Sequence, residues 1–334
     1  MLQNEITGYI GNQLQIGGCR SYTLSEGKGR GTRCIDVNTG GGLQFTIVQD
    51  RGLDISLASF KGINLVYLTC NGETHPSYYE PENSGWFNTF AGGLLTTCGL
   101  THVGPPATDQ DDNYGLHGRY STIPASKVAD LSGWEGNQYQ IIIRGTTEEC
   151  RIFGNKLRLE RTISSILGEN IIRIHDRITN FGNHESPYAI IYHMNFGFPL
   201  LSEYSELLID PEITVPRDKV AAHGLDNFRS FIKPQNEFNE QVFVHKMKQS
   251  NDNEAVVILK NKKIGVSLSI KFDAIQLPFM WQWKMMGYGE YVLGLEPSNV
   301  PAKSRSELIA DSMLPTLNPG ESTFNDVEVE VESI

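Results

Sequence analysis

Four short segments bring together residue types that can move protons or hold a polyhydroxylated ligand. In Tyr114-Gly-Leu-His-Gly-Arg119, glycines flank His117 and let backbone and ligand approach closely. If the piece is extended, His117 and Arg119 share a face. A histidine in a surface turn fits the same residues. In Tyr188-Ala-Ile-Ile-Tyr-His-Met-Asn-Phe-Gly-Phe-Pro199, a strongly apolar run carries His193 and Asn195 two positions apart, on one face of the strand it predicts. Such a polar pair must find hydrogen-bond partners or serve a ligand; a satisfied core histidine is the alternative. In Tyr291-Val-Leu-Gly-Leu-Glu-Pro297, Glu296 closes a buried strand before a proline. Apolar surroundings would raise its pKa toward what a general base needs near neutral pH, and a structural glutamate at a loop is the other reading.

Just upstream, Met280-Trp-Gln-Trp-Lys284 puts Trp281 and Trp283 on a common face. An indole can stack on the C–H face of a pyranose, and Trp283 is the preferred platform, although tryptophans of this kind also build cores. In Gln49-Asp-Arg-Gly-Leu-Asp-Ile-Ser56, Arg51 could contact a ligand or form a salt-bridged bend around Gly52 with Asp50 and Asp54. Asp109, Asp111 and Asp112 lack the spacing and terminal glutamate of a calcium loop and read as a solvated acidic stretch. No metal site is expected.

The elements that must position these groups are strands. Ile264-Gly-Val-Ser-Leu-Ser-Ile-Lys-Phe272 alternates apolar with small or polar residues, as a half-buried strand does. Leu43–Ile47, Leu157–Glu160, Ile172–His175 and Val327–Val331 repeat the pattern at both ends and in the middle of the chain. Lys260-Asn-Lys-Lys263 and Asn180-Phe-Gly-Asn183 supply turns, so antiparallel neighbours are expected. No segment keeps helical apolar spacing over three turns, and no linker divides the chain. One all-β domain over residues 1–334 is the expectation, with antiparallel sheets packed as a sandwich. The longest stretch without alternation, about Asn71 to Pro124, is expected to be functional loop laid over a sheet.

The 334 residues are 39% hydrophobic and 20% charged, with a formal net charge of −11, enough apolar material for a large core. With no Lys/Arg-rich run, nucleic acid is excluded as an expected partner. No stretch is apolar enough to span a membrane, and the first residues carry neither a basic nor an apolar leader region, so a cytoplasmic protein is expected. Five cysteines without a CxxC pair suggest reduced thiols, mostly buried.

Taken together and in order, these segments resemble the galactose mutarotase-like (aldose 1-epimerase) superfamily. Ala91-Gly-Gly-Leu-Leu-Thr-Thr-Cys-Gly99 followed by Leu116-His-Gly-Arg119 is similar to the family's glycine-rich segment and HG motif. Tyr192-His-Met-Asn-Phe196 resembles its second histidine motif, Leu295-Glu-Pro297 stands where its C-terminal catalytic glutamate is found, and Leu317–Ser322 resembles the turn before its last strand. The resemblance implies a β-supersandwich, no cofactor, and a monosaccharide or sugar-derivative substrate in a cleft. It implies Glu296 as general base, His193 as general acid and His117 as a substrate-binding or second acid residue, with Arg119 and Asn195 as supporting binders. The family's sugar-binding aspartate has no counterpart; Glu240-Gln-Val-Phe-Val244 stands in that region, with Gln241 as the candidate binder. These departures mark a divergent branch.

Mutarotation suits such residues, because ring opening needs a proton taken from the anomeric hydroxyl and another delivered to the ring oxygen. No P-loop or dinucleotide fingerprint points to a nucleotide. Two alternatives compete: a non-catalytic sugar-binding protein, and a different sugar epimerase or lyase on the same fold. Glu296 and His193 on opposite sides of one bound sugar would favour catalysis, and a long open groove would favour a lyase.

Overall fold

The computed structural model describes residues 6–109, 112–248 and 252–334, and within them the chain is almost entirely antiparallel β-sheet. Asp111 lies outside the described residues. A five-stranded sheet runs in chain order from Gly18–Thr23 to Ile63–Asn64. A nine-stranded sheet is built around the long Gln138–Cys150, Lys156–Ile166 and Ile171–Asn180 strands and continues through Ser322–Ser333 to Val266–Asp273 and Glu254–Asn261. A six-stranded sheet orders Pro211–Pro216, Gln241–Met247, Phe279–Met286, Tyr291–Ser298, Ala189–Phe196 and Thr96–Leu100 side by side. This is the expected all-β supersandwich.

Sequence pattern tells these sheets apart. Val266–Asp273 alternates buried and half-buried residues along its length, the mark of a strand with one face on the core. Every residue of Ala189–Phe196 is buried, which is why that run reads as continuously apolar. One of its faces, with Tyr192 and Met194, joins Phe243, Met280 and Leu295 in a core shared with Leu268, Val327 and Val329 of the nine-stranded sheet. Its other face, with Ile191, meets Val244, Trp281, Trp86 and Phe90 in a second apolar cluster. Loops cover that second face.

A buried ionic cluster links the three sheets. Arg161 donates to Asp176 from Nη2 at 2.7 Å and to Asp54 from Nη1 at 3.2 Å. Tyr192 donates to the same Asp176 at 2.7 Å, and Asp54 accepts from the Thr97 backbone N–H and hydroxyl at 3.0 and 2.6 Å. Asp54 belongs to the five-stranded sheet, Arg161 and Asp176 to the nine-stranded one, and Tyr192 and Thr97 to the six-stranded one.

Several expectations shift in detail. The turn near Lys260–Lys263 falls at 262–265, between Glu254–Asn261 and Val266–Asp273. The stretch from Asn71 to Pro124 contains the Thr96–Leu100 strand, whose threonines, Cys98 and Gly99 hide its alternation. The cysteines are free, as expected, but only Cys34 and Cys98 are buried; Cys19 is half-buried, and Cys70 and Cys150 are exposed. Among the described residues no helix is long and apolar enough to cross a membrane.

Candidate active site

One row of residues runs straight across the six-stranded sheet. Thr96 pairs with His193, Trp281 with Glu296, Val244 with Trp281, and Val215 with Val244. The register that pairs Ile191 with Ser298 and Met194 with Leu295 sets His193 opposite Glu296. Directly opposed residues of an antiparallel pair point to the same face, so the row delivers His193, Glu296, Trp281, Val244 and Val215 to one side of the sheet. All five line a cavity of about 720 Å³ on that side. Residues two positions along the strands, including Trp283, Val242 and Phe279, extend its floor.

His117 reaches the cavity from the covering loops. It holds a left-handed backbone, φ 60°, rare for a residue with a Cβ. That conformation is locked on both sides: its N–H donates to the Gly104 carbonyl at 2.8 Å and its carbonyl accepts from the Gly99 N–H at 3.1 Å. Gly118 follows with φ 73°, and a Cβ there would sit 2.4 Å from the His102 carbonyl oxygen. Only glycine fits that position, and the strain it shares with His117 is of the kind that concentrates at functional sites.

The three ionisable groups meet. Nε2 of His193 lies 3.4 Å from Oε1 of Glu296, and the His117 and His193 rings are 5.6 Å apart, edge to face. Nδ1 of His117, Nδ1 of His193 and Oε1 of Glu296 are buried atoms without a hydrogen-bond partner among the described residues. Buried polar atoms left in this way point to a ligand that supplies the missing partners. Burial pushes the Glu296 carboxyl well above the usual carboxylate range, with nearby Glu240 adding to the shift and Arg217 opposing it. Burial likewise pulls His193 down to about 4, against the influence of Asn195, and holds His117 well below the ordinary histidine value. Desolvation therefore favours the neutral pair, a protonated Glu296 beside a free-base His193. That pair carries one proton, as the ionic pair does.

Room for the carboxylate comes from Gly294, two residues back on the same face. A Cβ there would approach Oε1 of Glu296 to 2.3 Å. The aromatic walls are fixed by hydrogen bonds at their polar tips. Trp281 donates to the Val300 carbonyl at 2.8 Å and Trp283 to Glu240 at 3.0 Å, and Glu240 is held by Arg217 at 2.9 Å. Trp86 stacks on Phe90 with centroids 4.2 Å apart and approaches the His117 ring to 4.9 Å.

Of the residues singled out in the sequence, His117, His193, Glu296, Trp281 and Trp283 line this cavity, and Arg119, Asn195, Arg51 and Gln241 do not. Arg119 is exposed and lines a separate, smaller depression with Tyr79 and Glu149. The extended conformation expected for His117–Arg119 is replaced by two left-handed residues, so the two side chains diverge. Asn195 is fully buried, with Nδ2 donating to the carbonyls of Gly93 and His193 at 3.1 and 2.9 Å. It props the histidine strand rather than lining the cavity. Arg51 is buried and donates to the Thr74 carbonyl at 2.9 Å; Asp50 pairs with Arg33 and Asp54 with Arg161, so the bend at Gly52 is tied by other arginines. Gln241 packs against Gly224 on the opposite face of its strand, and its neighbour Glu240 takes the cavity position. His193 and Glu296 are neighbours on one sheet face, rather than groups facing each other across a ligand; the residue opposed to them from the loops is His117. Trp86, Phe90, Glu240 and Arg217 are not among the expected site residues: Trp86 and Phe90 are signalled only by their place in the long irregular stretch, Glu240 by its parity with Val242 and Val244, and Arg217 by nothing local.

Among the described residues no cluster of histidine, cysteine and carboxylate side chains is arranged to hold a metal ion. No curated protein matches the chain in sequence. A solved structure described as a "putative aldose 1-epimerase" from Klebsiella pneumoniae is similar over 99% of this chain and 86% of its own, with a TM-score of 0.89 at 24% identity. A galactose mutarotase-like protein from Clostridium acetobutylicum matches with a TM-score of 0.64 at 14% identity, over 96% of this chain and 100% of its own. A galactose 1-epimerase from Lactobacillus acidophilus matches with a TM-score of 0.62 at 12% identity, over 95% and 99%. At these identities the likeness shows the fold alone. The sequence profile of one family matches residues 29–331, so the chain, built on the galactose mutarotase-like fold, belongs to the family described as "Domain of unknown function (DUF4432)".

Proposed function

We propose that the protein is an aldose 1-epimerase-like isomerase that interconverts the anomers of a sugar by acid/base ring opening. The observation that carries this reading is the buried pair of His193 and Glu296, 3.4 Å apart, at the floor of an aromatic cavity. In a cyclic sugar the anomeric hydroxyl and the ring oxygen are bonded to the same carbon, so the base and the acid must lie within a few ångströms of each other. Two neighbours on adjacent strands meet that demand.

Ring opening runs in three coupled movements. The anomeric O–H proton passes to the Glu296 carboxylate, the C1–ring oxygen bond breaks as the C1=O double bond forms, and the ring oxygen takes a proton from an imidazolium. We assign Glu296 as base and an imidazole, His193 or the loop-borne His117, as acid. Hydrogen bonds from the sugar offset the desolvation that otherwise holds the proton on Glu296 and favour its transfer to imidazole. After C1 turns its other face to the ring hydroxyl, the same groups return both protons with their roles exchanged. Trp283, only half-buried, offers its indole to the sugar's C–H bonds, and Trp86 backs the histidines. The reading needs no cofactor.

Exchange spectroscopy by NMR on α/β mixtures of free sugars, with and without the protein, tests this directly. Catalysed exchange that disappears in Glu296→Gln is the expected result. A panel of aldoses and sugar phosphates that bind but show only the spontaneous rate would favour a sugar-binding protein instead.

A further inference from the structure

The cavity holds far more than a proton-transfer pair and one sugar ring require. Its volume of about 720 Å³ lies in the range, about 300–1,000 Å³, of sites that enclose drug-sized ligands. The composition of its walls is uneven. His117, His193 and Glu296 cluster at one end, and away from them the floor is Val242, Val244 and Phe279, continuing to Ile213 and Val215 of the edge strand. Ile213 and Val215 are 54% and 49% exposed, large apolar side chains facing solvent inside a cavity. Exposed apolar surface in such a place marks a binding wall.

The lysine and arginine side chains that line the cavity are already paired. Lys246 meets Glu212 at 2.7 Å, Lys303 meets Asp311 at 2.6 Å, and Arg217 is shared by Glu240 and Asp218, each at 2.9 Å. A ring with hydroxyls on every carbon, pressed against this wall, would leave several of them without partners, and each buried unpaired hydroxyl weakens binding. A phosphate or carboxylate would have to share a lysine or arginine with the carboxylate that already holds it.

Building on the mutarotase reading of this site, we infer that the substrate is a reducing sugar carrying an apolar group, aryl or alkyl, remote from its anomeric carbon. The anomeric centre lies at His193 and Glu296, and the apolar group lies along Val244, Phe279, Ile213 and Val215. The wall contributes specificity and takes no part in the proton transfers.

The test compares D-galactose and D-glucose with their 6-O-benzyl ethers and 6-phosphates. Binding is followed by tryptophan fluorescence and anomer exchange by NMR. The expected result is at least tenfold tighter binding of the benzyl ethers than of the parent sugars, and a ratio that collapses toward one in Ile213→Asp/Val215→Asp, whose exposed positions tolerate charge. Equal binding of ether and parent, tighter binding of the phosphates than of the ethers, or a ratio unchanged in the double variant would overturn the inference, whatever the exchange rates show. Preferential, wall-dependent binding without catalysed exchange of any sugar would sustain the inference and remove the mutarotase reading.

Discussion

His193 and Glu296 stand opposite each other on adjacent antiparallel strands, Nε2 to Oε1 3.4 Å, in a site that burial makes hostile to charge on either. The relationship is produced by strand register, with Ile191 against Ser298 and Met194 against Leu295 on the two sides of the pair. Register is strongly held here because a slip of one residue would send Met194 and Leu295 out of the core and His193 and Glu296 into it.

Replacing Glu296 by glutamine should lower anomer exchange by roughly 10²–10⁴ while leaving sugar affinity nearly unchanged. The amide matches the shape of the protonated carboxyl that burial favours, and among the described residues no lysine or arginine is ion-paired with Glu296 to be stranded by the change. The melting temperature should therefore hold. Had Glu296 been paired with a buried cation, the same change would have cost about 3–5 kcal/mol. A folded variant with undiminished exchange on a substrate of the wild-type protein would falsify the role of Glu296 as base.

Acid should unfold the protein through its histidines. His102, His193 and His245 are each pulled to about 4 from an ordinary value of 6.5, in every case chiefly by burial, and His117 is shifted in the same direction. Between pH 6.5 and about 4 the unfolded chain binds these protons and the folded chain does not, so stability falls as pH falls, by up to about 1.4 kcal/mol per pH unit for each such histidine. Glu296 contributes with the opposite sign, since its raised pKa makes ionisation at higher pH unfavourable to the fold. Urea denaturation at a series of pH values checks this. His245→Gln, outside the cavity, should flatten the acid limb; a limb of unchanged slope would show that His245 is not among the groups responsible.

How much of this was legible in the sequence depended on whether a feature is local. The alternation of Ile264–Phe272 and the solid apolar run before His193 announce strands with one and two covered faces, because side-chain direction has period two and needs no distant partner. Period two also sorts neighbours, and it is where Gln241 went astray: the strand's cavity face is Val242 and Val244, so the residue that continues it is Glu240. Arg119 misled for another reason. Its parity with His117 has meaning only in extended chain, and His117 at φ 60° and Gly118 at φ 73° turn the segment over. The cross-sheet row from Thr96 to Val215 comes from pairings between distant segments, and nothing within any one segment encodes which strand becomes its neighbour. The stack of Trp86 on Phe90 is local, formed four residues apart around the turn Gly85–Asn88, but that irregular stretch has no apolar period to announce it.

The cluster around Arg161 should be among the most sensitive places in the fold. Arg161→Met would leave Asp54 and Asp176 buried without their cation, and breaking a buried pair from one side costs about 3–5 kcal/mol. Because Asp54 holds Thr97 and Asp176 holds Tyr192, the strands on and beside the His193 position lose support at the same time. Chemical denaturation should show the loss as a lower midpoint. A companion triple variant, Arg161→Met with Asp54→Asn and Asp176→Asn, should regain part of it. A single variant as stable as the wild type would mean that the carboxylates are held by their hydroxyl and amide donors alone.

Gly294 offers a way to move the Glu296 carboxylate without changing its chemistry. In Gly294→Ala the new methyl would meet Oε1 of Glu296 at 2.3 Å and Cβ of Trp283 at 3.0 Å, far inside ordinary contact. The backbone there is fixed by pairing with Trp283 on one side and Asn195 on the other, so it is the carboxylate that must yield. Displacement of an ångström is enough to spoil proton transfer that depends on a short donor–acceptor distance, and exchange should fall at least tenfold while the melting temperature drops by only a few degrees. If the glycine acts only through Glu296, the double variant Gly294→Ala/Glu296→Gln should exchange no more slowly than Glu296→Gln alone, the signature of two residues serving one function. Additive losses would instead mean that the methyl disturbs the cavity by another route, through Trp283. Full activity in Gly294→Ala would show that the carboxylate need not occupy the position seen beside His193.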